Sequence, residues 1–235
     1  MSIESDAATI GLLFSGGLDS AVLSAQLLSQ GRRVVPIYVQ TGCAWDEFEL
    51  AAARRFLGAV RHERLEELVV LCQPLDDLYG DHWSITGADA PDGDSPDEAV
   101  FMPGRNPLLL IKPTLWCCLH GVGQLAMATL ENNPFQDATP QFFTRFESMI
   151  DEATGGVVAI VRPFEDMSKR QVMALGSHLP LELTFSCLAP VGGMHCGQCN
   201  KCAERRRAYR AAGVADRTPY ANWRPPVAGA SGQRS

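Results

Sequence analysis

Two groups of residues in this chain have the types and spacing to do chemistry. The first is Ser15-Gly16-Gly17-Leu18-Asp19-Ser20, which follows a largely apolar run, Thr9–Phe14, and leads into helical spacing from Leu18 to Leu28. A glycine-rich turn between a strand and a helix aims backbone N–H groups at phosphate. The helix amino terminus adds unsatisfied donors and partial positive charge. Gly16 and Gly17 permit positive φ and close approach of a ligand, and the Ser15 and Ser20 hydroxyls can donate further bonds. Asp19 would repel a bare phosphate, so its presence suggests a carboxylate that helps hold Mg²⁺. No Gly-Lys-Ser/Thr follows, which rules out a Walker loop. A purely structural glycine-rich turn is the alternative, and the agreement of strand, loop and helix weighs against it.

The second group is Cys187, Cys196, Cys199 and Cys202, a C-x8-C-x2-C-x2-C pattern. Four thiolates at this spacing suit a tetrahedral Zn²⁺ and leave no coordination position for water, so the expected role is structural. Gly192, Gly193 and Gly197 would let the chain fold back around the ion. A redox C-x-x-C pair is the rival reading, disfavoured by the overlapping pairs and the fourth cysteine. His195 could replace a ligand, but lying beside Cys196 it reads as a bystander. Cys43, Cys72, Cys117 and Cys118 read as ordinary buried residues, with Cys43 keeping some chance of reactivity after a strand end.

The elements that must position these groups follow a βαβ alternation. After the first strand and helix, Gly31 is placed to stop the helix, and Val34–Gln40 supplies a second β-rich run. Helices are expected over Asp46–Leu57, Leu108–Gly123 with a kink at Pro113, Gln141–Ala153, and Lys169–His178 behind a Ser168 cap. Strands are expected over Leu68–Pro74 and Val157–Val161, with Gln124–Thr129 either a short strand or more helix. This alternation predicts an α/β fold with a parallel sheet covered by helices on both faces. Between Asp81 and Ala99 the sequence has Gly, Pro and acids without apolar periodicity, so it reads as a long loop, either a lid or a solvated excursion. The tail Trp223–Ser235 is expected to fray.

Composition bounds the function. The 235 residues carry 20 Lys+Arg against 27 Asp+Glu, a net charge of −7, which argues against a broad electrostatic grip on nucleic acid or anionic lipid. Arg205, Arg206, Arg207 and Arg210 offer only one short basic helix, read as a solvated face and as compensating charge near a zinc thiolate site. No apolar run approaches a membrane span, and the first residues do not read as a secretory signal. Together with cysteines at metal spacing, this predicts a cytoplasmic protein without a membrane partner.

The SGGLDS segment resembles the pyrophosphate loop of the ATP pyrophosphatases, whose fold is a doubly wound sheet of adenine-nucleotide α-hydrolase-like type. With Pro103-Gly104-Arg105-Asn106 in the middle and the four cysteines after it, the chain resembles the 7-cyano-7-deazaguanine synthase family from Ile10 to Tyr209. The resemblance implies an ATP-dependent carbon–nitrogen ligase of the queuosine pathway that converts 7-carboxy-7-deazaguanine and ammonia to the nitrile through adenylated intermediates. It implies ATP, Mg²⁺ and Zn²⁺ as cofactors. Carried over, Phe14, Ser15, Gly16, Gly17, Leu18, Asp19 and Ser20 would bind ATP, and Asp19, Arg105 and Lys169 would be catalytic. Asn106 and Asp137 would contact substrate, and Cys187, Cys196, Cys199 and Cys202 would bind zinc. The bland alternatives are a surface salt bridge for Arg105 and solvation for Lys169.

Two stretches depart from the family pattern. Gln40-Thr41-Gly42-Cys43-Ala44-Trp45 replaces a Gly-Gln-Arg/Lys-His type sequence, and Asp137 is followed by Ala138-Thr139-Pro140 where the family has Cys-Arg. Trp45 and Phe135 could stack on a heterocycle. The departures keep open a paralogous adenylating enzyme acting on another carboxylate, such as a protein or peptide group. A tRNA-thiolating or lysidine-forming enzyme and a non-catalytic ATP sensor are weaker readings. The expected organisation is an ATP-binding α/β domain over 1–182, a zinc-binding subregion over 183–212 and a tail over 213–235, with a homodimer left open.

Overall fold

The computed structural model describes residues 9–131 and 133–223. Most of the initial stretch read for a signal, and the tail beyond Trp223, lie outside the described residues. Five strands form one parallel sheet in the order β3-β2-β1-β4-β5, where β1 is Thr9–Leu13, β2 Arg33–Gln40, β3 Val69–Cys72, β4 Gln124–Ala126 and β5 Ala159–Val161. The helices are α1 (Leu18–Ser29), α2 (Asp46–Ala59), α3 (Asp76–Tyr79), α4 (Trp83–Thr86), α5 (Arg105–Leu119), α6 (Pro140–Thr154), α7 (Lys169–Leu175) and α8 (Asn200–Ala212). Every described helix is too short or too polar to cross a membrane.

Side chains alternate across the sheet with a period of two, and both faces are covered, so the central strands read as continuous apolar runs. On one face Ile10, Leu12 and Phe14 pack with Val22 of α1, Phe56 of α2 and Tyr209 of α8. On the other, Ile37 and Leu125 pack with Leu110 of α5 and Phe146 of α6. A third cluster gathers Trp45, Phe185 and the four carboxy-terminal cysteines at one end. β1 lies between β2, which follows it in the chain, and β4, which arrives after a long excursion, so the strand order reverses beside β1. In open parallel sheets that reversal opens a crevice at the carboxyl ends of the strands. The Ser15–Ser20 segment leaves β1 at that end.

Several expected boundaries shift for visible reasons. α5 starts at Arg105 rather than Leu108, because Gly104 takes the left-handed conformation at its start, and it continues through Pro113. α6 is capped by the Thr139 hydroxyl, which accepts from Phe142 N at 3.2 Å, and is closed by Gly155. α7 ends at Leu175, short of the expected His178, where Gly176 caps it. The stretch expected as a long loop holds the short helix α4 and is anchored at two points. Asn200 N donates to Pro91 O at 2.8 Å and Asn200 Nδ2 to Ser95 O at 2.9 Å, so the loop is tied to the start of α8.

Candidate active site

The glycine-rich loop is held from both sides. Phe185 N donates to Gly16 O at 2.8 Å, while α2 packs so closely that a Cβ on Gly16 would stand 2.8 Å from Glu49 O. Gly16 also has φ +75°, a conformation that L side chains adopt only with strain. Gly16→Ala is therefore expected to destabilise the fold by about 1–3 kcal/mol, read by urea denaturation; an unchanged midpoint would contradict this. The Ser15 and Ser20 hydroxyls bond each other at 3.2 Å, and Ser20 Oγ also donates to Gly17 O at 3.2 Å. In this state they brace the turn. Gly17 in extended conformation precedes α1, whose first N–H groups have no intrahelical acceptor and face the crevice end of the sheet.

Lys169 opens α7 behind a complete capping box formed by Ser168 and Gln171. Its Nζ lies 2.6 and 2.9 Å from the two carboxylate oxygens of Asp19 and 3.5 Å from Glu204 Oε1. This pairing answers the solvated-lysine reading: the side chain is 23% exposed. Burial pulls the Lys169 ammonium down, yet the two carboxylates hold it above its ordinary value. Glu204, which sequence reasoning passed over, also pairs with Lys201 at 2.7 Å. Burial pushes Glu204 up, but Lys201 and Lys169 outweigh it and bring the carboxyl down to about 2. A lowered carboxyl contributes stability that is present above its unfolded value of 4.5 and is lost as pH falls toward 2. Glu204→Gln should accordingly flatten the dependence of stability on pH between these limits, with denaturation midpoints at several pH values as the readout. An acid limb as steep as that of the parent protein would contradict the pairing.

Asn106 and Asp137 meet across the chain. Asn106 N donates to Asp137 Oδ2 at 3.0 Å and Asn106 Nδ2 to Asp137 O at 2.9 Å, which places a carboxylate at the positive end of α5. Arg105 precedes Asn106 and lines the same cleft with no salt bridge among the described residues. The surface salt-bridge reading of Arg105 is thereby replaced by a cleft position.

A carboxyl cluster at the start of α2 is the larger omission of sequence reasoning. Asp46 is buried and accepts from Thr41 N at 2.5 Å and Gly42 N at 2.7 Å; burial still leaves it above the usual carboxylate range. Glu49, one turn on, accepts from Tyr38 Oη at 3.4 Å. Burial, aided by Asp46 and opposed by Arg105, pushes Glu49 up to about 8. The available signal was the i, i+3 spacing of two acids in the first turn of an expected helix. The aromatic residues pair among themselves: Trp45 stacks on Trp83 at 5.8 Å and Phe135 on Phe101 at 5.3 Å.

One cleft of about 740 Å³ brings these parts together. Phe14, Ser15, Asp19, Arg105, Asp137 and Lys169 all line it, as do Gly17, Leu18, Ser20 and Asn106. Gly16 supports the loop from behind the cleft wall.

The four cysteine sulfurs lie within 4.8 Å of one another, and all four residues are buried. Cys187–Cys199 and Cys196–Cys202 Sγ separations are 3.9 and 3.8 Å. A tetrahedron of sulfurs at the usual zinc–sulfur distance has an edge of about 3.8 Å, so the donor set fits Zn²⁺. Cys196 N donates to Cys187 Sγ at 3.2 Å and Cys199 N to Cys196 Sγ at 3.3 Å, bonds that favour thiolate charge. His195 is a bystander to the sulfurs: its Nε2 accepts from Ser186 N at 3.2 Å, and burial beside Arg205 pushes it down to about 3. Two expectations fail here. Cys72 is exposed and Cys118 half-buried, because β3 is a sheet edge and α5 turns that side outward. Arg205 is no solvated base: it is 1% exposed and donates to Thr218 Oγ1, Thr184 Oγ1 and Leu181 O at 2.8, 2.9 and 2.8 Å.

Comparison with known proteins adds a family. A family model described as "Queuosine biosynthesis protein QueC" matches residues 9–213. A 7-cyano-7-deazaguanine synthase of Thiobacillus denitrificans is 31% identical over 226 residues, covering 89% of this chain and 97% of that protein. Another, of Methanothermobacter thermautotrophicus, is 30% identical over 221 residues, 88% of this chain and 97% of that one. Among solved structures, a 4-thiouridine synthetase–RNA complex with bound ATP is 15% identical at a TM-score of 0.47, covering 88% of this chain and 50% of that chain.

Proposed function

We infer the function of this chain from one premise: it belongs to the QueC family of queuosine biosynthesis proteins. Its relatives are enzymes named 7-cyano-7-deazaguanine synthase. We propose that this chain is an ATP-dependent carbon–nitrogen ligase that converts 7-carboxy-7-deazaguanine and ammonia to 7-cyano-7-deazaguanine. The carrying observation is that a single cleft joins the Ser15–Ser20 loop, the Asp19–Lys169 pair, Arg105 and the Asn106–Asp137 contact.

The chemistry demands an oxygen turned into a leaving group twice. The substrate carboxylate attacks the α-phosphorus of ATP and releases pyrophosphate, giving an acyl adenylate. Ammonia displaces AMP and leaves an amide. The amide oxygen attacks a second ATP, and loss of AMP with two nitrogen protons gives the nitrile. The protein's task is to hold phosphates and acyl group in line and to balance charge. The loop backbone, with Ser15, Gly16, Gly17, Leu18 and Ser20, grips the phosphates at the start of α1, and Phe14 forms the floor beneath them. Lys169 lies where its ammonium can meet charge on the departing pyrophosphate. Arg105 faces the same cleft and can neutralise phosphate or carboxylate charge. Asp19 is the carboxylate placed to hold Mg²⁺, which when bound supplies further neutralisation of the phosphates. Asn106 and Asp137 set the start of α5 on the substrate side. The zinc site is structural: it leaves no open position, and Cys187 forms part of the cleft wall. We further propose the division into an ATP-binding part over 1–182, a zinc subregion over 183–212 and a tail, and a setting in the cytoplasm.

The test is mass spectrometry of small-molecule products after incubation with Mg-ATP, ammonium and 7-carboxy-7-deazaguanine. Nitrile and AMP are expected. AMP without nitrile would move the acyl substrate elsewhere. The residues after Asp137 give that outcome its chemical motive, since the family's arginine is absent and a carboxylate of another molecule, a peptide included, is the alternative. Neither product from folded, zinc-loaded protein would overturn the proposal.

A further inference from the structure

The ligase reaction releases protons that the phosphate-binding and substrate-side residues are not free to accept. Ammonium must lose a proton before it can attack the acyl adenylate, the adduct must lose another, and the amide nitrogen must shed two more as the nitrile forms. Asp19 is engaged with Lys169, Asp137 with Asn106, and Asp46 with the Thr41 and Gly42 amides. Glu204 is held between two lysines. Of the other carboxyls that line the cleft, Asp97 pairs with Arg207 at 3.7 Å and Glu131 is exposed, so among the described residues Glu49 is the sheltered cleft carboxyl not committed to a cation or a backbone amide.

We propose that Glu49 is the general base of this reaction, taking protons from the attacking ammonia and then from the amide nitrogen. The inference rests on the ligase reading above and deepens it. Its ground is placement. Glu49 lines the cleft, and its own backbone carbonyl abuts Gly16 in the phosphate-binding loop, so its helix packs directly against that loop. The only hydrogen-bond partner of its carboxylate among the described residues is the Tyr38 hydroxyl at 3.4 Å, itself bonded to Asp46 O at 3.2 Å, which leaves carboxyl lone pairs for a nitrogen ligand. The charged and titratable groups facing it are Tyr38 from β2, Cys43 from the following loop, Asp46 from its own helix and Arg105 from α5. Asp46 favours a cation such as ammonium nearby and raises proton affinity, while Arg105 opposes both. The balance leaves Glu49 close to the acidity that suits proton transfer near neutral pH, with its value pushed up to about 8. Proton balance is simple: Glu49 gains each proton from nitrogen and passes it to solvent between steps, with no oxidant or further reactant.

The test separates the half-reactions. Adenylation of the carboxylate is read by exchange of labelled pyrophosphate into ATP, which needs no base. Nitrile formation is read from carboxylate plus ammonium, and separately from 7-amido-7-deazaguanine supplied as substrate. For Glu49→Gln, exchange should stay within about threefold of the parent while nitrile formation from either substrate falls about 100-fold or more. Glu49→Asp should recover part of the rate, with the alkaline rise of its pH profile displaced toward lower pH. Equal loss of exchange and nitrile formation in the glutamine variant, or a nitrile rate like the parent's, would overturn the proposal. Absence of carboxylate-dependent exchange in the parent protein would instead overturn the ligase reading on which it rests.

Discussion

Cys199→Ser is expected to strip the metal from the protein and to lower its melting temperature by about 10 °C. The size follows from the burial of the site. All four sulfurs lie in the third apolar cluster with Trp45 and Phe185, so loss of the ion would leave three buried thiols without their common partner. Structural zinc supplies on the order of 10 kcal/mol in small domains that depend on it. Here the elements around it retain other support, including the Arg205 bonds to Thr184 and Leu181, so a loss of about 3–5 kcal/mol is the reasonable share. In a chain of this size each kcal/mol moves the melting temperature by roughly 2–4 °C. Because Asn200 ties the loop through Pro91 and Ser95 to the start of α8, protection from hydrogen exchange should fall in that loop as well. Cys72→Ser, at an exposed position, should change neither zinc content nor melting. Parent-like zinc content and melting in the Cys199 variant would contradict the site.

Asp19→Ala is expected to lower the rate of nitrile and AMP formation by about 1,000-fold or more while leaving the protein folded. A thousandfold is roughly 4 kcal/mol of transition-state stabilisation, within the range for removing one preorganised electrostatic group. Two losses combine. The carboxylate proposed to hold Mg²⁺ disappears, and Lys169 loses the oxygens that fix its Nζ at 2.6 and 2.9 Å. Folding should survive, since Lys169 keeps Glu204 at 3.5 Å and remains an ammonium. Asp19→Asn keeps the shape and should fall nearly as far, because charge is what the position contributes. Steady-state rates within tenfold of the parent in either variant would contradict the role.

The sequence carried those parts of the molecule that depend on local pattern. Alternating apolar runs and a glycine turn foretold β1, the loop and α1, and cysteine spacing foretold a sulfur cluster that the fold does assemble. Ser168 gave the α7 cap because capping is local, and the structure completes it as a capping box with Gln171. What stayed hidden depends on pairing between distant segments. Lys169 and Asp19 are 150 positions apart, so nothing in their neighbourhoods revealed the ion pair. Arg205 looked like one arginine among four, yet its burial is decided by Thr184 and Thr218 on segments before and after α8. Cys72 looked buried because free cysteine packs as a small hydrophobe, whereas its exposure follows from β3 being an edge strand. Glu49 was unremarked because a first-turn acid ordinarily serves the helix dipole, and only its position behind Gly16 gives it another use.

The central claim is that this chain activates a carboxylate oxygen by adenylation, twice per product. It is tested most directly by supplying 7-carboxy-7-deazaguanine with both carboxylate oxygens labelled with oxygen-18, together with Mg-ATP and ammonium, and weighing the nucleotides formed. The expected result is two AMP for each nitrile, each AMP carrying one labelled oxygen, with unlabelled pyrophosphate. Label in inorganic phosphate with ADP as the nucleotide product, or nitrile formed with unlabelled AMP, would contradict the account.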